Sequence, residues 1–444
     1  MIIGIRREDK NRWERRTPLI PADVVELQRR HGLRFLVQPS PIRVFTDDEY
    51  RAAGIEVAED LSGAGIILAV KEVPVHLILP GKIYVFFAHV AKGQTYNMPM
   101  LKRLMDLRCS LVDYEKITDE QKRRLIFFGR HAGYAGMIDT LWCLGRRLAA
   151  GGIATPLAEM RHAYEYPDLA TAKKHLTDIG RRIARDGLPQ PVRQLIVGFS
   201  GYGNVSTGAQ EVFECLGPHQ VNVEDLPPAA AGGQGTASPF VKVVFHERDM
   251  VRPIDPGGRF DLQEYYEHPE RYTGCFEEHL PYLDVLVNAI YWEPRYPRLV
   301  TRAWVRRNYR PGSPPRLKVI GDISCDIEGS VEVTVKAAEP DNPCYVFLAQ
   351  EERARDGVEG NGPVIMAVDN LPCEIPRESS CYFSSVLREM VPPLAAADWS
   401  ADFADLELPS SLKRAVIVHK GELTPSYHYL HGNLEAASAR ADRS

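Results

Sequence analysis

The stretch 194-QLIVGFSGYGNVSTGAQ-210 decides how the rest of the chain is read. Leu195, Ile196, Val197 and Gly198 form an apolar run suited to a parallel strand buried on both faces. Gly201 and Gly203 follow at the spacing of a strand-to-helix turn that cradles a dinucleotide. There the first glycine permits a tight turn, the second lets backbone N–H groups approach a pyrophosphate, and the helix N-terminus adds a positive field. Ser206 stands where the pattern has its third glycine, with Gly208 and Ala209 as nearby small residues that still permit close helix packing. A glycine-rich turn of this kind also occurs without a nucleotide, and these residues alone leave both readings open.

Working outward, 444 residues suffice for two or three domains with substantial cores. A composition of 44% hydrophobic and 25% charged residues is that of an ordinary globular protein. The net charge of −5 argues against nucleic acid or an anionic membrane as the main partner. The eight cysteines are scattered, with no C-x-x-C and no His/Cys cluster at zinc spacing, so no metal site is expected and the thiols read as reduced and singly buried. The N-terminus, MIIGIRRED, carries charge where a signal peptide needs its apolar core, and runs such as Ala64 to Val70 are too short to span a bilayer. The sequence therefore reads as cytoplasmic.

On the N-terminal side the pattern is α/β. Ile2 to Ile5, Arg34 to Gln38, Gly65 to Val70, Ile83 to Phe87 and Cys109 to Val112 read as strands, and helices are expected after Pro18 and Pro21 and around Asp47 to Ala53. Three of the strands end in ionisable residues: Lys71-Glu72, His89 with Lys92, and Asp113-Tyr114-Glu115. Each taken singly is an ordinary loop charge. Repeated at the C-terminal edge of one parallel sheet, where open α/β folds bind ligands, they suggest a site. A strand, a glycine-rich turn at Gly129 to Gly136 and a long helix to Ala150 follow, then a charged helical stretch from Ala158 to Asp186. Beyond the glycine turn, Leu226 to Ser238 reads as a Pro/Ala/Gly-rich mobile loop, while Asp284 to Ile290, Leu317 to Asp322, Val364 to Val368 and Ala415 to His419 read as strands. From Asn433 the polar tail is expected to fray.

RREDKNRWERRTPL (6–19), AVKEVP (69–74), FFAHVAK (86–92), LVDYEK (111–116), FGRHAGYAGM (128–137), GYGNVSTGAQ (201–210), NAIYWEPRYPRLVT (288–301), GDISCDIEGSVE (321–332) and VDNLPCEIPRESS (368–380) occur in the order of a known family. They resemble the lysine–ketoglutarate reductase half of the bifunctional aminoadipate semialdehyde synthase of animals and plants. More distantly, the chain is similar to the fungal lysine-forming saccharopine dehydrogenase, and to alanine dehydrogenase and the transhydrogenase domain. The resemblance implies an α/β fold of two Rossmann-like domains with parallel sheets and an active-site cleft between them. One domain would take residues 1–137 and 368–444, and the NAD(P)-binding domain residues 138–367.

The implied reaction joins L-lysine and 2-oxoglutarate, with NADPH, to give saccharopine in lysine degradation. It needs groups that move protons, cations that hold carboxylates and a nicotinamide laid against the imine carbon. By resemblance, Lys71 and His89 are the acid/base pair. Since free lysine titrates near ~10.4 and histidine near ~6.5, Lys71 needs desolvation or neighbouring cations to work near neutrality. Glu72 and Glu115 would oppose that shift. Arg16 matches the residue that grips the 2-oxoglutarate carboxylate, with Lys92 pairing Glu14 to orient it. Gly201, Gly203 and Asn204, with Val205 and Ser206 behind them, would meet the pyrophosphate, and Arg124, Tyr291 and Asp322 the nicotinamide side.

Two features of the chain point to different cofactors. Glu224, 21 residues after Gly203 at the end of an expected strand Gln220 to Val223, is placed to bond the adenosine ribose and favours NAD. The resembling reductase is an NADPH enzyme, and His246, Arg248 or Arg252 could receive the extra phosphate, so NADP is the expectation and NAD the alternative. Other readings are an imine reductase joining a different amine and 2-oxo acid, an alanine-type dehydrogenase, and a silent nucleotide-binding regulator. The last is disfavoured because a pure binder needs none of Arg16, Lys71 and His89. The oligomeric state, homo-oligomer included, is left open.

Overall fold

Six strands open the computed structural model, which describes residues 1–190, 192–231 and 238–441: β1 (Ile2–Ile5), β2 (Arg34–Val37), β3 (Glu56–Val57), β4 (Ile66–Leu68), β5 (Ile83–Phe86) and β6 (Ser110–Asp113). All are parallel, in the order β3-β2-β1-β4-β5-β6. That is the order of a dinucleotide-binding sheet, in which the chain winds one way from β1 and the other way from β4. The tips of β1 and β4 therefore flank the point where their loops diverge and leave a crevice.

A second compact unit, Phe128–Ile375, follows. Its strands are β7 (Leu195–Ser200), β8 (His219–Gln220), β9 (Phe240–Phe245), β10 (Val251–Pro253), β11 (Tyr272–Gly274), β12 (Val285–Asn288), β13 (Val319–Asp322), β14 (Cys344–Leu348), β15 (Arg353–Asp356) and β16 (Val364–Met366). The sheet runs β15-β14-β16-β13-β12-β7-β9-β8, and β10 and β11 make a separate antiparallel ribbon. All of the sheet from β16 to β8 is parallel, and β14 and β15 are antiparallel additions. Along β7 the side chains alternate between two cores: Leu195, Val197 and Phe199 face one, Ile196 the other. Burial on both faces explains the unbroken apolar run.

From Pro376 the chain returns to the first unit, which holds Met1–Phe127 and this last segment. It adds β17 (Val416–His419) antiparallel to β6, and β18 (Glu422–Leu423) antiparallel to β17. The units change over at 127/128 and 375/376, where the sequence places its boundaries at 137/138 and 367/368. The first difference has a physical origin. Gly129–Ala150 is one continuous helix, with neither a strand before it nor a turn at Gly129 to Gly136. Its glycines are packing notches: a Cβ on Gly133 would lie 2.0 Å from Val205 O, and one on Gly145 2.2 Å from Leu157 O.

Three other expectations are corrected. Leu226–Ala230 is a short helix rather than loop, and 232–237 lie outside the described residues. Only Leu169–Asp186 of the stretch after Ala158 is α-helical, capped by Asp168. The tail is helical over Leu430–Ala441 rather than frayed from Asn433.

Candidate active site

In the first unit the ionisable residues converge because parallel strands deliver their C-terminal ends to one edge. Glu8 follows β1, Lys71 and Glu72 follow β4, His89 follows β5, and Asp113 ends β6. Glu8 lies buried at the crevice and accepts hydrogen bonds from the backbone N–H of Val70 (2.6 Å) and Lys71 (3.0 Å). It thereby fixes the backbone that carries Lys71. Burial first, and then the charge of Glu14, push the Glu8 carboxyl up to about 7. Asp113 is likewise raised to about 6 by burial.

Lys71 meets the condition set by its chemistry. Burial, then the Arg16 guanidinium, lower its pKa, against the smaller opposing fields of Glu14 and Glu72. Glu72 is turned chiefly to other partners: His89 Nδ1 lies 2.7 Å from Oε1, and Lys10 Nζ donates to Oε2 at 2.8 Å. Burial opposes ionisation of Glu72, but the bonds from His89 and Lys10 outweigh it and hold the carboxyl far below its usual range. An ionised Glu72 accepts the Nδ1 proton and leaves Nε2 as the working nitrogen of His89. His89 also has φ +49°, in the left-handed region that non-glycine residues avoid. The Asn97 side-chain amide spans this turn, donating to Ala88 O (3.0 Å) and His89 O (3.3 Å). The turn aims the imidazole at a conformational cost, as at many functional sites.

Arg16 is buried, and Glu14 takes its Nε–H and Nη2–H in a two-point pair, both at 2.6 Å. The orienting partner of Arg16 is thus Glu14 directly, while Lys92, expected to bridge to Glu14, is exposed. Glu115 pairs with Arg124, and both lie in the first unit.

The second unit holds the glycine turn at the tip of β7. Gly201 has φ +85°, and Gly203 is the N-cap of the helix Asn204–Phe213, with nothing within 4 Å of where a Cβ would stand. That open cradle beside first-turn N–H groups fits a pyrophosphate. The close packing asked of the third glycine is met by Gly208, whose Cβ would lie 2.2 Å from Arg130 O. Ser206 is buried with its hydroxyl accepting from Gln210 (3.0 Å), and the partly buried Val205 packs on the core.

A cavity of about 410 Å³ opens over the tips of β9, β7 and β12, lined by Gly201, Tyr202, Gly203, Glu247, Tyr266 and Tyr291 among others. Glu224 is not among its lining residues. The strand before it is only His219–Gln220, at the outer edge beyond β9, so the acidic residue at the tip of β7's neighbour is Glu247. Tyr291 lines the cavity, 78% exposed, and donates to Glu293 at 2.5 Å. Asp322 is buried and accepts from Asn288 (2.8 Å), Ser324 (2.7 Å) and Thr334 (2.5 Å), so it pins strand tips. Glu8 and Glu247 are the residues the sequence reading missed. Their signal is an acid two or three places past an apolar run.

Profiles described as "Alanine dehydrogenase/PNT, N-terminal domain" and "Alanine dehydrogenase/PNT, C-terminal domain" match residues 4–135 and 262–426. The chain belongs to the alanine dehydrogenase/PNT family. Members of this family are NAD(P)-dependent dehydrogenases. Alpha-aminoadipic semialdehyde synthase of Arabidopsis thaliana is 39% identical over 97% of this chain and 41% of its own length. The mitochondrial protein of that name from Bos taurus is 35% identical over 97% of this chain and 47% of its own. The chain thus spans less than half of either. Saccharopine dehydrogenase [NAD(+), L-lysine-forming] of Emericella nidulans is 26% identical, covering 80% of this chain and 82% of that one. Among solved structures an L-alanine dehydrogenase superposes with a TM-score of 0.59 at 19% identity, over 98% of this alanine dehydrogenase/PNT chain and all of that one. That likeness concerns the fold.

Proposed function

We propose that this protein is a lysine–ketoglutarate reductase, condensing L-lysine with 2-oxoglutarate and reducing the product to saccharopine. The observation that carries the reading is the arrangement at the β1/β4 crevice: a lysine of lowered pKa beside a buried Arg16–Glu14 pair, and a histidine oriented by an ionised Glu72. The names of the plant, animal and fungal relatives support the same reaction.

Lys71, whose hold on a proton is weakened by burial and by Arg16, takes the proton from the lysine ε-ammonium, so that the amine can attack the keto carbon. His89, through Nε2, takes a proton from the attacking nitrogen and returns it to the carbinolamine oxygen as water leaves and the imine forms. Arg16 holds a 2-oxoglutarate carboxylate with N–H groups that Glu14 keeps in plane. Gly201, Gly203 and the N–H groups at Asn204 hold the dinucleotide, which when bound supplies the hydride that reduces the imine. Cytoplasmic action is part of the proposal, although the Bos taurus relative is named as mitochondrial; cell fractionation decides that point.

The test is reduced-dinucleotide oxidation against a panel of amines and 2-oxo acids. Saccharopine formed from lysine and 2-oxoglutarate at far higher kcat/KM than any other pair supports the proposal. Preference for ammonia with pyruvate would replace it with an alanine-type dehydrogenase.

A further inference from the structure

The cavity over the glycine turn has one charged residue among its described lining residues, Glu247, and no lysine or arginine. Glu247 lies two residues past β9, and β9 pairs with β7 along its whole length. It therefore stands at the strand tip where an acidic side chain meets the adenosine ribose in dinucleotide-binding sheets. Its carboxylate is held in place: Tyr266 O–H donates to Oε1 at 2.7 Å, and Tyr202 O–H lies 3.4 Å from the same oxygen.

The nearby cations do not line the cavity and have other partners. Arg248 lies 3.7 Å from Asp249 and is largely exposed; Arg252 pairs with Glu278; Arg295 pairs with Glu293 at 3.0 Å and lies over the Tyr296 ring; and the His246 ring stacks on Tyr202 at 4.6 Å. A phosphate placed beside Glu247 would meet a fixed negative charge with no lysine or arginine among the described lining residues, whereas a ribose 2′-hydroxyl would find an acceptor.

We infer that Glu247, fixed by Tyr266 and Tyr202, reads the ribose 2′ position and that this enzyme uses NADH, against the NADPH expected from the sequence. The inference rests on the reductase reading for the reaction but is tested apart from it. Isothermal titration of the full chain with NADH and with NADPH, without substrates, gives the ratio of dissociation constants. NADH should bind about 10-fold or more tightly than NADPH, and Glu247→Gln should bring the ratio toward one. Tyr266→Phe, which keeps the ring and removes the donor, should narrow the ratio with an unchanged melting temperature, and serves if the Glu247 variant does not fold. Equal or tighter NADPH binding by the unaltered protein, or a ratio unmoved in both folded variants, overturns the inference. NADH binding without turnover of lysine and 2-oxoglutarate leaves it standing and sinks the reductase reading. Binding of neither dinucleotide sinks both.

Discussion

His89 Nδ1 lies 2.7 Å from Glu72 Oε1, and this pair, not a Glu72–Lys71 pair, organises the acid/base side of the site. The two proposed proton carriers are tuned by separate means, Lys71 by burial and the positive charge of Arg16, and His89 by a carboxylate that fixes its tautomer. Removing either tuning element should therefore affect chemistry before binding.

Replacing Lys71 by Met keeps the apolar stem and removes the amine. Turnover should fall by ~10² to 10⁴ while dinucleotide affinity stays within about twofold. Steady-state kinetics with a separate binding titration checks this, and near-normal kcat would remove Lys71 from the mechanism.

Glu72→Gln should lower kcat by roughly 10- to 100-fold, because an amide can still bond the ring but no longer selects Nδ1–H by charge. The KM for 2-oxoglutarate should move little, since Arg16 is untouched. Equal loss in KM would mean that Glu72 contacts substrate.

Much of the fold was legible because it depends on local pattern. Strands β1, β2, β4 to β7, β12, β13, β16 and β17 are apolar runs that can be read without their partners. What escaped depends on neighbours distant in sequence. Glycines 129 to 136 look like a turn because glycine usually is one, yet Gly133 lets the helix Gly129–Ala150 come against Val205. The register that sets β9, not β8, beside β7 is a choice between two strands, and it moved the acidic reader from Glu224 to Glu247. Likewise Glu14, two residues from Arg16, takes its guanidinium directly in a two-point pair.

The two glycine roles separate experimentally. Gly208→Ala puts a methyl 2.2 Å from the Arg130 carbonyl, and relief requires the two helices to move apart, at a cost of about 1–3 kcal/mol. Gly203→Ala meets nothing within 4 Å in the folded protein. The first variant should lower the melting temperature; the second should melt normally but lose dinucleotide affinity. A Gly203→Ala protein that binds normally would show that the pyrophosphate does not approach there.

Arg16→Ala confounds grip with stability, because it removes the two-point partner of the buried Glu14 carboxylate, a change that costs about 3–5 kcal/mol. The double variant Arg16→Ala/Glu14→Gln should recover most of the lost melting temperature. It should still show a KM for 2-oxoglutarate raised by the equivalent of roughly 1.5–3 kcal/mol, with the KM for lysine nearly unchanged. Recovery of both would make the pair structural only.

The last prediction concerns pH and the second unit, where Asp139 in the helix Gly129–Ala150 and Glu374 beside the changeover at Ile375 are both buried and in carboxyl–carboxyl contact. Ala163 N–H donates to Asp139 Oδ1 at 2.9 Å, while Glu165 adds a further negative field. Burial raises Asp139 to about 7 and Glu374 well above its ordinary range, so the folded protein retains protons that the unfolded chain releases near pH 4. The sign follows. Stability from this pair is fully present below about pH 4 and is lost as pH rises through about 7, because unfolding then releases protons. Glu374→Gln supplies a permanent N–H donor in place of the shared proton. The variant should gain steadily on the parent as pH rises from about 4 to about 8, measured by denaturant unfolding across that range. A difference that stays flat with pH would mean that the two carboxyls do not share a proton.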